Sequence, residues 1–153
     1  MSVERNLAFP LLEQGISDPA EIQRRIAEAL EMVDLPGEQK KMPADLSGGM
    51  RKRVGLARTI IGRPRCVLYD EPTTGLDPIT SDGINRLIRR LQKKLGVTSI
   101  VVTHDMKTAF YCADSVAFLH EGFVHFHGTV EELRASSDPV LADFIEGRSG
   151  ESD

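Results

Sequence analysis

One stretch constrains this chain more than any other. It is Leu46-Ser47-Gly48-Gly49-Met50-Arg51-Lys52-Arg53, followed shortly by Cys66-Val67-Leu68-Tyr69-Asp70-Glu71-Pro72. The first part is small and Gly-rich, and it runs into a segment where Met50, Val54, Ala57 and Ile61 fall at helical spacing. Ser47 is therefore the candidate N-cap, and Gly48 and Gly49 let the backbone come close to a ligand. A helix N-terminus led in by glycines suits an anion, most often a phosphate, because unpaired amides and the helix dipole favour negative charge there. The second part is an apolar run, Cys66 to Tyr69, that ends on two carboxylates. It reads as a buried strand delivering Asp70 and Glu71 at its C-terminal end, where open α/β sheets place their ligands. A carboxylate in that position can hold a divalent cation, and its neighbour can orient or deprotonate a water.

Helical and strand patterns alternate along the rest of the chain. Residues 1–16 are mixed in character. Asp18-Pro19-Ala20-Glu21 is a helix start, with Asp18 as cap, Pro19 at the first helical position and Glu21 completing a capping-box-like arrangement. Ile22, Ile26, Leu30 and Val33 then form one apolar stripe, which Leu35-Pro36-Gly37 ends. Gln39 to Asp45 is a polar loop. Asp77-Pro78 opens another helix, with Ile84, Leu87, Ile88, Leu91 and Leu95 on one face and Gly96 as its stop. Thr98 to Thr103 is β-branched and reads as a second strand, buried under helices on both faces. Met106 to Cys112 is a short helix. Ser115–Leu119 and Phe123–His127 are strands joined at Glu121-Gly122. Thr129 to Glu132 is a capping box, and a last helix follows Asp138-Pro139. The alternation predicts an α/β fold with a mainly parallel sheet.

Composition narrows the function classes. The chain has 153 residues and a net charge of −4, so nothing in its charge favours nucleic acid. Cys66 and Cys112 follow no disulfide pattern and read as free thiols in a reducing cytosol. No apolar run reaches the roughly 18 residues of a membrane span, so a membrane role must come through a partner. Arg51, Lys52, Arg53 and Arg58 read as a solvated helix face, and His125 and His127 as surface positions on one face of a strand.

Four short motifs, in order, carry a resemblance to a known family. Leu46 to Met50 resembles the LSGGQ signature of ATP-binding-cassette (ABC) ATPases, with Met50 where Gln is usual. Cys66 to Glu71 resembles the Walker B strand and its adjacent glutamate. Gly75-Leu76-Asp77-Pro78 resembles the D-loop, and Thr103-His104-Asp105 the switch-histidine loop. The resemblance covers roughly residues 1–130. It implies a partial P-loop NTPase-like α/β fold: a helical signature subdomain plus the C-terminal part of a mainly parallel RecA-like sheet. The implied divisions are 1–58 for the helical/signature subdomain, 59–146 for the C-terminal part of the ATPase core and 147–153 for a disordered tail. It further implies that Asp70 holds Mg²⁺, that Glu71 is the base toward water, and that His104 bonds the γ-phosphate of ATP. Ser47, Gly48, Gly49 and Met50 would contact a γ-phosphate held by the phosphate loop of the other subunit, with Asp77 at the dimer interface. Met50 cannot supply the hydrogen bonds of Gln, but Ser47 and the main-chain donors remain. The implied partners are a second ATPase subunit as a homodimer, an integral-membrane permease and a lipid-binding substrate protein. No nucleic acid is implied. The implied location is cytoplasmic, on the inner face of the cell membrane through the permease. Met50, with the run His104-Asp105-Met106 and the stretch Asn6 to Leu11, is most similar to the ATPases of Mla/Mce-type phospholipid importers.

Two rival readings stand beside this one. A soluble ABC-type DNA-repair ATPase would carry long heptad arms, and no sustained heptad run is present. A non-catalytic, truncated chain acting only in assembly is the other. The sequence contains no G-x-x-x-x-G-K-[ST] phosphate loop, which in this family lies upstream of the signature. The chain by itself is therefore expected to be inactive.

Overall fold

The computed structural model describes residues 1–148, which form two compact units, Met1–Val102 and Thr103 onward. In the first unit, α1 (Val3–Glu13), α2 (Pro19–Met32) and α3 (Gly48–Ile60) pack on one another, and α3 also packs on α4 (Pro78–Leu95). Strands β1 (Cys66–Asp70) and β2 (Thr98–Val102) pair in parallel, with Asp70 opposite Val102. A parallel pair needs a crossover, and α4 is that crossover.

Helix α1 falls where the sequence reads as mixed. Pro10 lies inside it and breaks the usual helical signal, yet Val3, Leu7 and Leu11 recur every fourth residue and are fully buried. The α2 stripe is as expected: Ile26, Leu30 and Val33 are buried, and Asp18 accepts from the Ala20 amide at 3.2 Å. Glu21 makes no capping box. Its carboxylate goes instead to Arg24 and Arg25, one turn along, which offer charged donors. Two single 3₁₀ turns, Glu38–Lys40 and Pro43–Asp45, occur where the sequence reads as the polar loop Gln39 to Asp45, the first beginning one residue earlier. On α4, Ile84, Leu87, Ile88 and Leu91 are buried, and Gly96 ends the helix at φ 64°.

The two strands of the first unit are not covered on both faces. Val67 and Tyr69 are buried, but Leu68, Ile100 and Val102 are 72%, 51% and 60% exposed. The expectation of two-sided burial fails because pleating turns alternate residues to opposite faces, and this chain covers only one of them.

The second unit contains α5 (Met106–Cys112), β3 (Val116–His120), β4 (Phe123–Gly128), α6 (Val130–Arg134) and α7 (Pro139–Glu146). β3 and β4 form an antiparallel hairpin whose loop residues, Glu121 and Gly122, sit at φ 48° and 82°. Two successive positive φ values match the twist of a two-residue hairpin. A bulge interrupts the register after Phe118, which faces Phe126 while Leu119 faces Val124. His125 is the extra residue. Its ring lies 6.1 Å from that of Phe118 and 5.6 Å from that of His120, whereas His127 is opposite Ala117. His125 and His127 therefore do not share one face: the bulge breaks the alternation. Thr129 and Glu132 form the expected capping box. Gly147 caps α7 at φ 67° and the Arg148 amide donates to the Asp143 carbonyl at 2.8 Å. The rest of the tail expected over 147–153 lies outside the described residues.

Candidate functional site

Helix α3 starts where the sequence places it. Ser47 is extended, at φ −62° and ψ 164°, and its hydroxyl accepts from the Met50 amide at 3.2 Å. Gly48 and Gly49 form the first turn, where helical amides lack an intrahelical partner. The glycines also have a packing reason that the sequence did not reveal. A Cβ on Gly49 would lie 2.6 Å from Thr80 Cγ2, and one on Gly48 would lie 3.3 Å from Leu76 Cδ2. The close approach seen here is to the start of α4. The signature-like turn and the Leu76–Thr80 segment therefore form one block.

Asp77 caps α4, accepting from the amides of Ile79 and Thr80 at 3.0 Å each. The Thr80 hydroxyl, and then the backbone amides, hold its carboxyl below the usual carboxylate range. Asp70 is exposed at the C-terminal end of β1. Glu71 follows at φ 44°, the left-handed region that non-glycine residues rarely occupy. Its amide extends the parallel ladder to the Val102 carbonyl at 2.9 Å, and its carboxylate accepts from the Thr74 hydroxyl at 2.9 Å. Thr74 is a residue the sequence reading passed over. Its signal was its place three residues after Glu71, where a hydroxyl can bond back across a turn.

The basic run after Met50 is not a simple solvated face. Arg51 donates to the Leu46 carbonyl, Lys52 Nζ to the Glu71 carbonyl at 3.1 Å, and Arg53 to the Val33 carbonyl at 3.0 Å. Long basic side chains reach the carbonyls that turns and helix ends leave open. Arg58 is exposed, with its guanidinium 5.9 Å from the centre of the Phe9 ring. Asp34, at φ 59° just past the end of α2, ties that end to α3 and α4 by accepting from Arg53 and, at 2.7 Å, from Arg90. Partial burial raises its pKa, but Arg90 and then Arg53 outweigh that and hold the carboxyl low.

The first unit thus brings together Ser47, Gly48, Gly49, Met50 and Asp77 through helix packing, and ties Glu71 to α3 through Lys52. His104 belongs to the second unit. It is exposed, between Thr103, whose hydroxyl accepts from the Asp105 amide at 3.0 Å, and Asp105, which caps α5 through the Lys107 amide at 3.0 Å. Among the described residues, no group of three or more His, Cys, Asp or Glu side chains could hold a metal ion. No helix among them is long and apolar enough to cross a membrane.

Comparison with known proteins addresses the family and the fold. The ABC transporter family model matches residues 1–74. The chain is 37% identical over 148 residues to a probable ribonucleotide transport ATP-binding protein of Mycobacterium leprae, covering 97% of this chain and 43% of that protein. It is 38% identical over 147 residues to the intermembrane phospholipid transport system ATP-binding protein of Escherichia coli, covering 96% and 55%. It is 43% identical over 146 residues to a spermidine/putrescine import ATP-binding protein of Acidothermus cellulolyticus, covering 95% and 38%. Among solved structures, it superposes with a TM-score of 0.73 and 31% identity on an ATP-binding cassette in a dimeric post-hydrolysis state bound to ADP and Pi. That match covers 85% of this chain and 57% of the other. The fold is thus the α/β fold of an ABC ATPase, in part. The chain belongs to the ABC transporter ATP-binding proteins, spans about half the length of the relatives it matches, and corresponds to part of their nucleotide-binding domain.

Proposed function

We propose that this chain serves an ABC transporter as the part of its ATP-binding and ATP-hydrolysing subunit that carries the signature turn and the base. One observation carries the reading: the Ser47-capped start of α3 packs its glycines on Leu76 and Thr80, while Lys52 of the same helix bonds the backbone of Glu71. Ser47, Gly48, Gly49 and Met50 would meet the γ-phosphate of an ATP held on a second subunit, with Asp77 at that interface and His104 on the γ-phosphate. Glu71 would take the proton of the attacking water. The oxygen chemistry of Asp70 fits Mg²⁺, an ion that prefers one or two carboxylates plus nucleotide phosphates to an all-protein cage. When bound, that ion supplies charge neutralisation at the phosphates. The chain's own residues position the phosphate and the water, which is most of what phosphoryl transfer to water requires. The divisions proposed within the chain are 1–58 for the helical/signature subdomain and 59–146 for the C-terminal part of the ATPase core. A homodimer, a membrane permease, a lipid-binding substrate protein and a position on the cytoplasmic face of the membrane complete the reading. Phospholipid is the proposed cargo, supported by Met50 and His104-Asp105-Met106 and by the name of the Escherichia coli relative.

A second reading is binding and assembly without turnover by these 153 residues taken alone, which contain no G-x-x-x-x-G-K-[ST]. Sedimentation of the chain mixed with an ATP-binding subunit that carries this loop tests the site. ATP and Mg²⁺ should drive pairing, and Ser47→Arg should abolish it by placing a bulky cation at the cap. Pairing that is indifferent to ATP, or undisturbed by Ser47→Arg, would remove the signature assignment.

A further inference from the structure

We infer that Lys52 is a positioning residue for Glu71, a role that rests on the reading of Glu71 as the base. Glu71 occupies the left-handed region at φ 44°, a conformation that costs any residue with a Cβ free energy and persists only where its surroundings enforce it. The bonds that enforce it come from three places. β2 supplies the Val102 carbonyl, which accepts from the Glu71 amide at 2.9 Å. The following turn supplies Thr74, whose amide donates to the Glu71 carbonyl at 3.3 Å and whose hydroxyl donates to the carboxylate at 2.9 Å. The third is Lys52, half-buried on α3, whose ammonium donates to the same carbonyl at 3.1 Å. That bond joins the helix whose first turn is the candidate phosphate-binding element to the peptide unit that aims the candidate base. A charge-assisted bond to a carbonyl fixes the orientation of its peptide plane. Any shift of α3 on meeting an anion therefore acts on the peptide plane that follows Glu71, and through it on the direction of the carboxylate.

The test uses the ¹⁵N-labelled full chain with Lys52→Met, Lys52→Arg and Glu71→Gly. Lys52→Met should move the Glu71 amide resonance and speed its hydrogen exchange at least tenfold, while the amides of Ile84 to Leu91 in the α4 core stay protected. Lys52→Arg, which keeps a donor, should restore the Glu71 signal. Glycine removes the left-handed cost, so in a Glu71→Gly background the drop in urea midpoint caused by Lys52→Met should fall by at least half. An unchanged Glu71 amide, equal acceleration across α4, or an undiminished midpoint drop would each overturn the proposal. Hydrolysis by an assembled ATPase carrying Glu71→Gln tests the underlying reading separately. Full turnover there would remove the base, and with it the role of Lys52, whatever the exchange data show about the contact.

Discussion

The two units use apolar residues in opposite ways. In Met1–Val102, four helices bury a continuous set of Leu, Ile and Val side chains, and the sheet borrows that core for one face only. In the unit that starts at Thr103, no residue of the β3–β4 hairpin is fully buried; Leu119 and Phe123 are 70% and 77% exposed. Among its described residues, the buried ones, Thr108, Cys112, Leu133 and Leu141, all lie on short helices. The difference teaches that stability here follows helix packing rather than strand hydrophobicity. The elements proposed to handle phosphate, α3 and the end of β1, stand on the well-packed unit.

The largest effect that separates the units is a core deletion. Leu30→Ala or Ile88→Ala should cost about 2–5 kcal/mol, the range for emptying a packed site. Leu119→Ala should stay within about 0.5 kcal/mol. Urea denaturation of the three variants checks this, and a hairpin deletion as costly as a core deletion would break the comparison.

Next in size is the bare face of the first sheet. Leu68, Ile100 and Val102 offer apolar area to water, and each ~100 Å² removed from it is worth roughly 2.5 kcal/mol. The chain should self-associate at micromolar concentration, and Ile100→Lys should weaken that at least tenfold, about 1.4 kcal/mol. Light scattering with gel filtration reads the result; a monodisperse monomer before substitution would contradict it.

Thr129→Ala removes one arm of the capping box on α6 and should cost about 1 kcal/mol, measured by thermal unfolding. The smallest effect is electrostatic. Asp34 has a lowered pKa in the folded chain, so its stabilisation is present above the ordinary Asp value of about 3.9 and is lost as pH falls through the lower folded value. Asp34→Asn should therefore lower the melting temperature slightly at neutral pH and converge on the parent below about pH 4. Half-exposed pairs are weak, so a large difference would mean that Asp34 does more than pair with Arg53 and Arg90.

Much of this was legible in the sequence because the signals were local. Ser47, Asp77, Thr129 and Asp138 each cap the helix expected of them, since capping needs only a short side chain and the next few amides. Glu121-Gly122 gave away the hairpin for the same reason. What was not legible depended on partners distant in sequence. Nothing near Gly49 announces Thr80, nothing near Lys52 announces the carbonyl of Glu71, and nothing near Asp34 announces Arg90. Helix α1 was missed because Pro10 masks a stripe that tertiary packing nevertheless uses. The bulge at His125 was missed because one inserted residue reverses a face without changing composition.

The central claim is that Glu71 is the base of an ABC-type ATP site, while the signature turn of the same chain faces the ATP of a second subunit. Phosphate release tests it most directly, measured on the chain alone and on a complete ATP-binding domain built with it. The chain alone should show no turnover. The complete domain should hydrolyse ATP, and Glu71→Gln should abolish hydrolysis while ATP still drives dimerisation, because the amide keeps the shape but cannot accept the proton. Turnover by the chain alone, or an undiminished rate with Glu71→Gln, would contradict the account.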